Sequence, residues 1–172
     1  MNFLKRYIDR RARAVSEDML AEFRRSFAGD ADAMRGIAQS LMTVPTIWNG
    51  DWSRVTLGAN VHLVNALLNV SSGTISIGDD TFFGHNVSLI TGTHFIARKG
   101  PERQDYPKHG RDITIGKGVW IASNALVLGP CTIGDHAVIA AGAVVVGGEL
   151  EPGAIYAGVP ARRLQRSSAA GN

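Results

Sequence analysis

One cysteine, Cys131, stands in a chain of 172 residues, so an intrachain disulfide framework is excluded. Charged residues make up only 19%, below the usual share of about a quarter. The most apolar run, AVIAAGAVVVGG, is short and laced with glycine, which excludes a bilayer-spanning helix there. The N-terminus MNFLKRYIDRR is positive but has no apolar segment behind it, so it is not read as a secretory signal. These absences, and a net charge of only +3, point to a soluble cytoplasmic protein with one substantial core. Two basic stretches break the balance: residues 1–25 carry seven Lys/Arg against four Asp/Glu, and ARRLQRSSAAGN carries three Arg and no acid. No nucleic-acid motif accompanies them, and no nucleic-acid partner is expected.

What is plentiful is glycine, 20 residues, and small or branched aliphatics. Their arrangement divides the chain. Leu4, Ile8, Ala12, Val15, Met19, Phe23 and Phe27 lie three or four apart and predict one amphipathic helix. Asp30 then caps a second helix carrying Met34, Ile37 and Leu41, which Pro45 ends. Residues 1–45 are therefore read as a helical segment.

From residue 55 the period is six. Ile115, Ile121, Val127, Ile133, Ile139 and Val145 are evenly spaced, and the fifth place of each unit holds Val119, Ala125, Cys131, Ala137 or Ala143. Upstream, Ile77, Phe83 and Leu89 keep the count, with Thr81, Val87 and Thr93 in the compact place; Leu57 and Leu63 precede them. Neither a helix nor a flat strand has this period. A triangular solenoid does: three short strands per coil, aliphatics pointing inward, compact residues at the bends, and residues one coil apart stacked. The expected stacks are Ile115 on Ile133, Ile121 on Ile139 and Val127 on Val145. Cys131 falls in a compact core place and reads as structural. The solenoid is expected over residues 55–150, with residues 151–172 as a C-terminal extension.

The count fails once. Continued past His94 it lands on Phe95, Pro101 and Pro107, and IARKGPERQDYPKHGRD holds five basic and three acidic residues. Such a segment cannot line an apolar prism, so residues 95–112 are read as a protruding loop. Long loops in compact domains tend to carry function. His94 stands where the coil gives way, and an imidazole suits proton transfer near neutral pH. His109 lies within the loop; His62, His85 and His136 fall on outward or corner places.

The stretches IGDDTFFGHNVSLITGTH, ITIGKGVWIASNALVLGPCTIGDHAVIAAGAVV and YAGVPARRL, with the break after His94, resemble the hexapeptide-repeat acyltransferases. The likeness covers about residues 55–166 and is nearest to the galactoside, maltose and nodulation-factor acetyltransferases and the polysaccharide O-acetyltransferases. It implies a mainly β fold, a left-handed parallel β-helix, whose hand departs from the usual right-handed crossover. It also implies transfer of an acetyl group from acetyl-CoA to a sugar hydroxyl, with His94 as general base and no metal. By the same resemblance, Asn65 holds the acceptor, with Asn69 as its rival because the match needs an inserted residue, and Trp120 lines the cleft. Ser123 and Ala141 are placed along the pantetheine arm, and Val146 and Gly147 at the far end of the cofactor. Arg162, with Arg163 and Arg166, is placed near the nucleotide phosphates. The family assembles as a homotrimer with active sites between subunits.

Two departures widen the acceptor class. The N-terminal helices do not match those of the galactoside and maltose enzymes, and the lysine expected after the last repeat is missing from VVVGGELEPG. Polysaccharide, lipopolysaccharide and nucleotide-sugar intermediates all stay open, as does N-acetylation of an amino sugar. Two other functions fit the fold: a zinc lyase of the γ-carbonic-anhydrase type and a non-catalytic scaffold. The zinc site needs an H-x4-H pair, which the five histidines do not supply. The second histidine motif of serine acetyltransferases is also not visible.

The stripe on residues 4–27 is read as packing against the protein or another subunit. The flanking Lys5, Arg6, Arg10, Arg11 and Arg13 leave weak docking on a membrane surface as the rival reading. Co-sedimentation with anionic vesicles separates the two. Packing predicts equal recovery of the full chain and of a chain starting near Asp30; selective loss on truncation assigns the stripe to the membrane.

Overall fold

The computed structural model describes residues 31–48 and 51–164. The helix expected over residues 4–27, the cap Asp30 and Arg166 lie outside the described residues. The chain divides into two compact units at Met42 and Thr43. In the first, helix α1 spans Ala31–Thr43 and stops two residues before Pro45, whose ring forbids a further helical turn. Among the described residues no helix is long and apolar enough to cross a membrane.

The second unit is a three-sided parallel β-solenoid. One sheet stacks β1 (Thr46–Ile47), β3 (Leu67–Asn69), β6 (Ser88–Ile90), β9 (Leu126–Leu128) and β12 (Val144–Val145). A second sheet stacks β2 (Val55–Leu57), β4 (Ile75–Ile77), β7 (Ile113–Ile115), β10 (Cys131–Ile133) and β13 (Gly148–Leu150). The third holds β5 (Phe82–Phe83), β8 (Trp120–Ile121), β11 (Val138–Ile139), β14 (Ile155–Ala157) and β15 (Arg162–Arg163). All pairings are parallel except the last, in which β15 turns back antiparallel on β14. The third sheet thus gains β14 and β15 within the stretch 151–172.

The expected stacks are present in register: Ile115 with Ile133, Ile121 with Ile139, Val127 with Val145. Ile121, Val127, Ile139 and the bend residues Val119, Ala137 and Ala143 are fully shielded from solvent. Cys131 is buried, and burial pushes its thiol up to about 11, so it is a neutral core group at physiological pH. Thr81 sits in a compact place because its hydroxyl is satisfied there. It donates to Gly116 O at 2.9 Å and accepts from Val119 N–H at 3.1 Å.

The corners take the left-handed backbone, supplied by glycines such as Gly118 and Gly142 and by short polar side chains: Asn60, Asp80, Asn86 and Asn124 all have φ between 55° and 61°. His136, at φ 58°, and the β-branched Val64, at φ 51°, are the exceptions among the non-glycine residues. The Val64 corner is one residue short. The inward residues Phe83 and Leu89 are six apart, whereas their counterparts Leu63 and Leu68 are five apart. The next corner instead gains three residues, since Leu68 and Ile75 are seven apart where Val127 and Cys131 are four apart. Two expectations shift accordingly. Leu57 is in register with Ile77 but 42% exposed, because β2 is the edge of its sheet. Thr93 is not in the compact place; Ile113 takes it, paired with Cys131.

Stacking makes inward positions costly to truncate. Ile121→Ala should lose about 2–5 kcal/mol in chemical denaturation, the range for a buried Ile cut to Ala. Thr132→Ala, on the outward face of β10, should stay within about 0.5 kcal/mol.

Candidate active site

The insertion sits at one corner. Leu128 and Cys131 are three residues apart, and the matching Ile90 and Ile113 are 23 apart, so twenty residues leave the coil between β6 and β7. Departure is at Thr91, three residues earlier than the break in the sequence count, and His94 already belongs to the loop. The three extra residues between Leu68 and Ile75 lie at the same corner one coil away. Insertions are cheap there because a corner residue lies outside the strand ladders.

The loop folds back on itself. A 3-10 turn spans Gly100–Gln104. The Arg98 guanidinium lies 4.0 Å from the Phe95 ring centre and pairs with Asp105 at 2.9 Å. Asp112 fastens the returning limb to the solenoid by accepting from Thr74 N–H at 2.7 Å and from its hydroxyl at 2.8 Å. Those two bonds hold the Asp112 carboxyl below its usual range.

The turn brings two backbone carbonyls to His94. Nδ1 lies 3.1 Å from Gln104 O and 3.3 Å from Asp105 O. Carbonyls only accept, so Nδ1 carries the proton and, in the neutral ring, Nε2 keeps its lone pair. Tyr106 meets the imidazole edge-on, with ring centres 6.0 Å apart, and Lys108 Nζ lies 3.5 Å from the Tyr106 ring centre. A cavity of about 370 Å³ opens here, lined by Trp48, Asn69, Ser71, Thr93, His94 and Tyr106.

Of the two candidate asparagines, Asn69 and not Asn65 lines this cavity. Asn65 lies at the Val64 corner in an amide ladder, where it donates to Asn86 Oδ1 at 2.8 Å and accepts Asn86 N–H at 2.7 Å. That ladder holds the bend together. Asn69 closes β3 on the edge that faces the loop. Its Oδ1 accepts from Ser71 N–H at 3.0 Å, which fixes the amide and leaves Nδ2 as the outward donor. Gly92 makes room, since a methyl group there would lie 2.8 Å from Asn69 Oδ1. The missing residue at Val64 is what disguised Asn69 in a strict count of six. Trp48, Ser71 and Tyr106 were not anticipated. An aromatic residue inside a charged loop was the available signal for Tyr106; Trp48 and Ser71 had none.

The remaining candidates lie elsewhere on the chain. Trp120 points outward from β8, stacks on Phe82 at 6.0 Å and does not line the cavity. Ser123 and Ala141 share a corner ladder with His85 on the far side of the first sheet. There Ser123 Oγ accepts His85 N–H and Ser123 O accepts Gly142 N–H, both at 3.0 Å. Val146 and Gly147 return to the corner of the loop; Val146 is 60% exposed, and Gly147 has φ 97° with Pro130 O close against it. Arg162 donates to Ala161 O, and Arg163 pairs with Glu151 at 2.8 Å, both partners well exposed. His109 is exposed on the loop, away from the cavity lining. Among the described residues no group of three or more His, Cys, Asp or Glu is placed to hold a metal ion.

Comparison with known proteins agrees with the repeat. Residues 112–147 match the family model described as bacterial transferase hexapeptide (six repeats), and residues 74–94 match a hexapeptide repeat of succinyl-transferase. The chain is 33% identical over 132 residues to the galactoside O-acetyltransferase of Escherichia coli (strain K12), covering 75% of this chain and 62% of that enzyme. It is 34% identical over 111 residues to the serine acetyltransferase of Mycobacterium tuberculosis, covering 64% of this chain and 43% of that one. The chain therefore spans less than two thirds of the length of either relative. Among solved structures, a galactoside acetyltransferase in complex with coenzyme A superposes with a TM-score of 0.62 at 24% identity, over 89% of this chain and 79% of that one. The solenoid is thus the left-handed parallel β-helix, and residues 74–94 and 112–147 carry the repeat of the hexapeptide transferase models.

Proposed function

We propose that the protein is an acetyl-CoA-dependent O-acetyltransferase acting on a hydroxyl of a sugar or polysaccharide precursor. The observation that carries this reading is the His94 imidazole, whose Nδ1–H is fixed by two carbonyls at the wall of a cavity it shares with Asn69. The likeness to galactoside O-acetyltransferase supports the acceptor class.

In this reading the acceptor hydroxyl lies between His94 Nε2 and Asn69 Nδ2. As its oxygen attacks the thioester carbonyl, Nε2 takes the proton; the C–S bond then breaks and the thiolate leaves with a proton returned from the imidazolium. The ester and free coenzyme A are the products, and no covalent enzyme intermediate is needed. Asn69 acts by orienting the hydroxyl, and the aromatic faces of Trp48 and Tyr106 suit the apolar face of a pyranose ring.

The cofactor is proposed to run along the solenoid wall past Ser123 and Ala141, with Val146 and Gly147 further along and Arg162 and Arg163 toward the phosphates. Guanidinium groups match phosphate geometry. These positions and Trp120 are spread over different corners and faces of one chain, which supports a homotrimer in which neighbouring subunits complete each site.

His94→Ala should lower kcat by about 10²–10⁴-fold, the usual range for a general base, with acetyl-CoA affinity unchanged. The assay uses labelled acetyl-CoA with galactosides, nucleotide sugars, amino sugars and L-serine as acceptors. Full activity of the variant on the best acceptor, in an intact oligomer, rejects the mechanism.

The two asparagines separate cleanly in the same assay. Asn69→Ala should raise the acceptor KM and lower kcat while melting near the wild-type temperature. Asn65→Ala should instead lower the melting temperature by a few degrees, as loss of a bond or two at a corner does, with kinetics close to wild type. The reverse pattern would assign the acceptor contact to Asn65.

A further inference from the structure

Both limbs of the inserted loop meet at the corner between β6 and β7, and one residue touches them all. Arg111, on the returning limb, donates its backbone N–H to Ser72 O at 3.1 Å. Its guanidinium Nε donates to Thr91 O at 2.9 Å, at the point where the outgoing limb leaves the coil. The Arg111 peptide is seated between two glycines of adjacent coils. A methyl group on Gly73 would lie 2.5 Å from its carbonyl carbon, and one on Gly129 would lie 2.1 Å from its carbonyl oxygen. The returning limb therefore has one seat, with no side chain wedged on either side.

The outgoing limb is equally fixed. Thr91 is fully buried; its hydroxyl donates to Asn69 O at 2.9 Å and accepts Ser72 N–H at 3.1 Å. Asn69, Thr91, Ser72 and Arg111 thus form one continuous set of bonds. His94 follows Thr91 by three residues, while the carbonyls that orient its ring, Gln104 and Asp105, precede Arg111 on the other limb. The imidazole meets those carbonyls only if the two limbs are held at the right separation.

We propose that Arg111 is a positioning residue for His94: by clamping the two limbs through Thr91 O, it holds the ring in the Nδ1–H form with Nε2 toward the cavity. This rests on His94 being the base. The clamp needs the planar guanidinium in its place, not merely a positive charge.

The full-length protein tests this with nitrogen-15 shifts of the His94 ring, assigned with His94→Gln, alongside kinetics and melting. Wild type should show a single Nδ1–H tautomer. Arg111→Met and Arg111→Lys should both give a mixture of tautomers and a roughly 10–100-fold lower kcat, the scale of a small misplacement of a reacting group. The KM for acetyl-CoA should not change. A wild-type tautomer in Arg111→Met overturns the proposal, as does full recovery in Arg111→Lys or failure of both variants to fold. The tautomer needs no turnover. Were His94→Ala fully active while Arg111→Met still lost the tautomer, the base assignment would fall and the clamp would stand.

Discussion

Every interior strand of the solenoid satisfies its backbone on the coil before it and the coil after it. This one requirement governs the rest. A strand residue cannot be added or removed without shifting the register of its whole coil, and a shift would turn an inward aliphatic toward solvent. Variation is therefore driven to the corners. The short bend at Val64, the three extra residues after Leu68 and the twenty after Ile90 are all corner events. Between them, Ile75, Ile113 and Cys131 still align.

Two of these events share one corner, and that is what makes a cavity. The longer insertion contributes His94 and Tyr106; the shorter one contributes Ser71, and the end of β3 contributes Asn69. Neither would form a site alone. The rigid ladder supplies the floor, and the loop supplies an imidazole whose donor nitrogen is already engaged by its own backbone. The loop is ordered by contacts within itself, Arg98 with Phe95 and Asp105, and by bonds at its base, Asp112 with Thr74 and Arg111 with Thr91.

The solenoid was legible because its core obeys a local rule. Six aliphatics from Ile115 to Val145 name their own partners once the period is seen. His94 was legible as the place where that rule stops. What escaped was whatever depends on a change of count. A single deleted residue at Val64 moved the inward place to Leu68, set Asn69 on the site edge and left Asn65 in a structural ladder. The exit at Thr91 escaped because Thr93 is an equally good compact residue; only the pairing of Ile113 with Cys131 decides between them. Long-range partners such as Gln104 O for His94 have no sequence pattern, since any residue offers a carbonyl. Trp120 is visible as an outward aromatic, but its stacking partner Phe82 is set by the register between coils.

The reversal of β15 against β14 has a consequence for growth of the structure. A stack of parallel coils is a template, and an open last coil would accept another chain's first coil as readily as its own next one. In the third sheet the chain folds back antiparallel, and the strand so placed carries two arginines, Arg162 and Arg163. Its exposed edge has the wrong direction for another parallel coil and the wrong charge for a second copy of itself. On that face the stack is capped from within, which opposes end-to-end fibre formation.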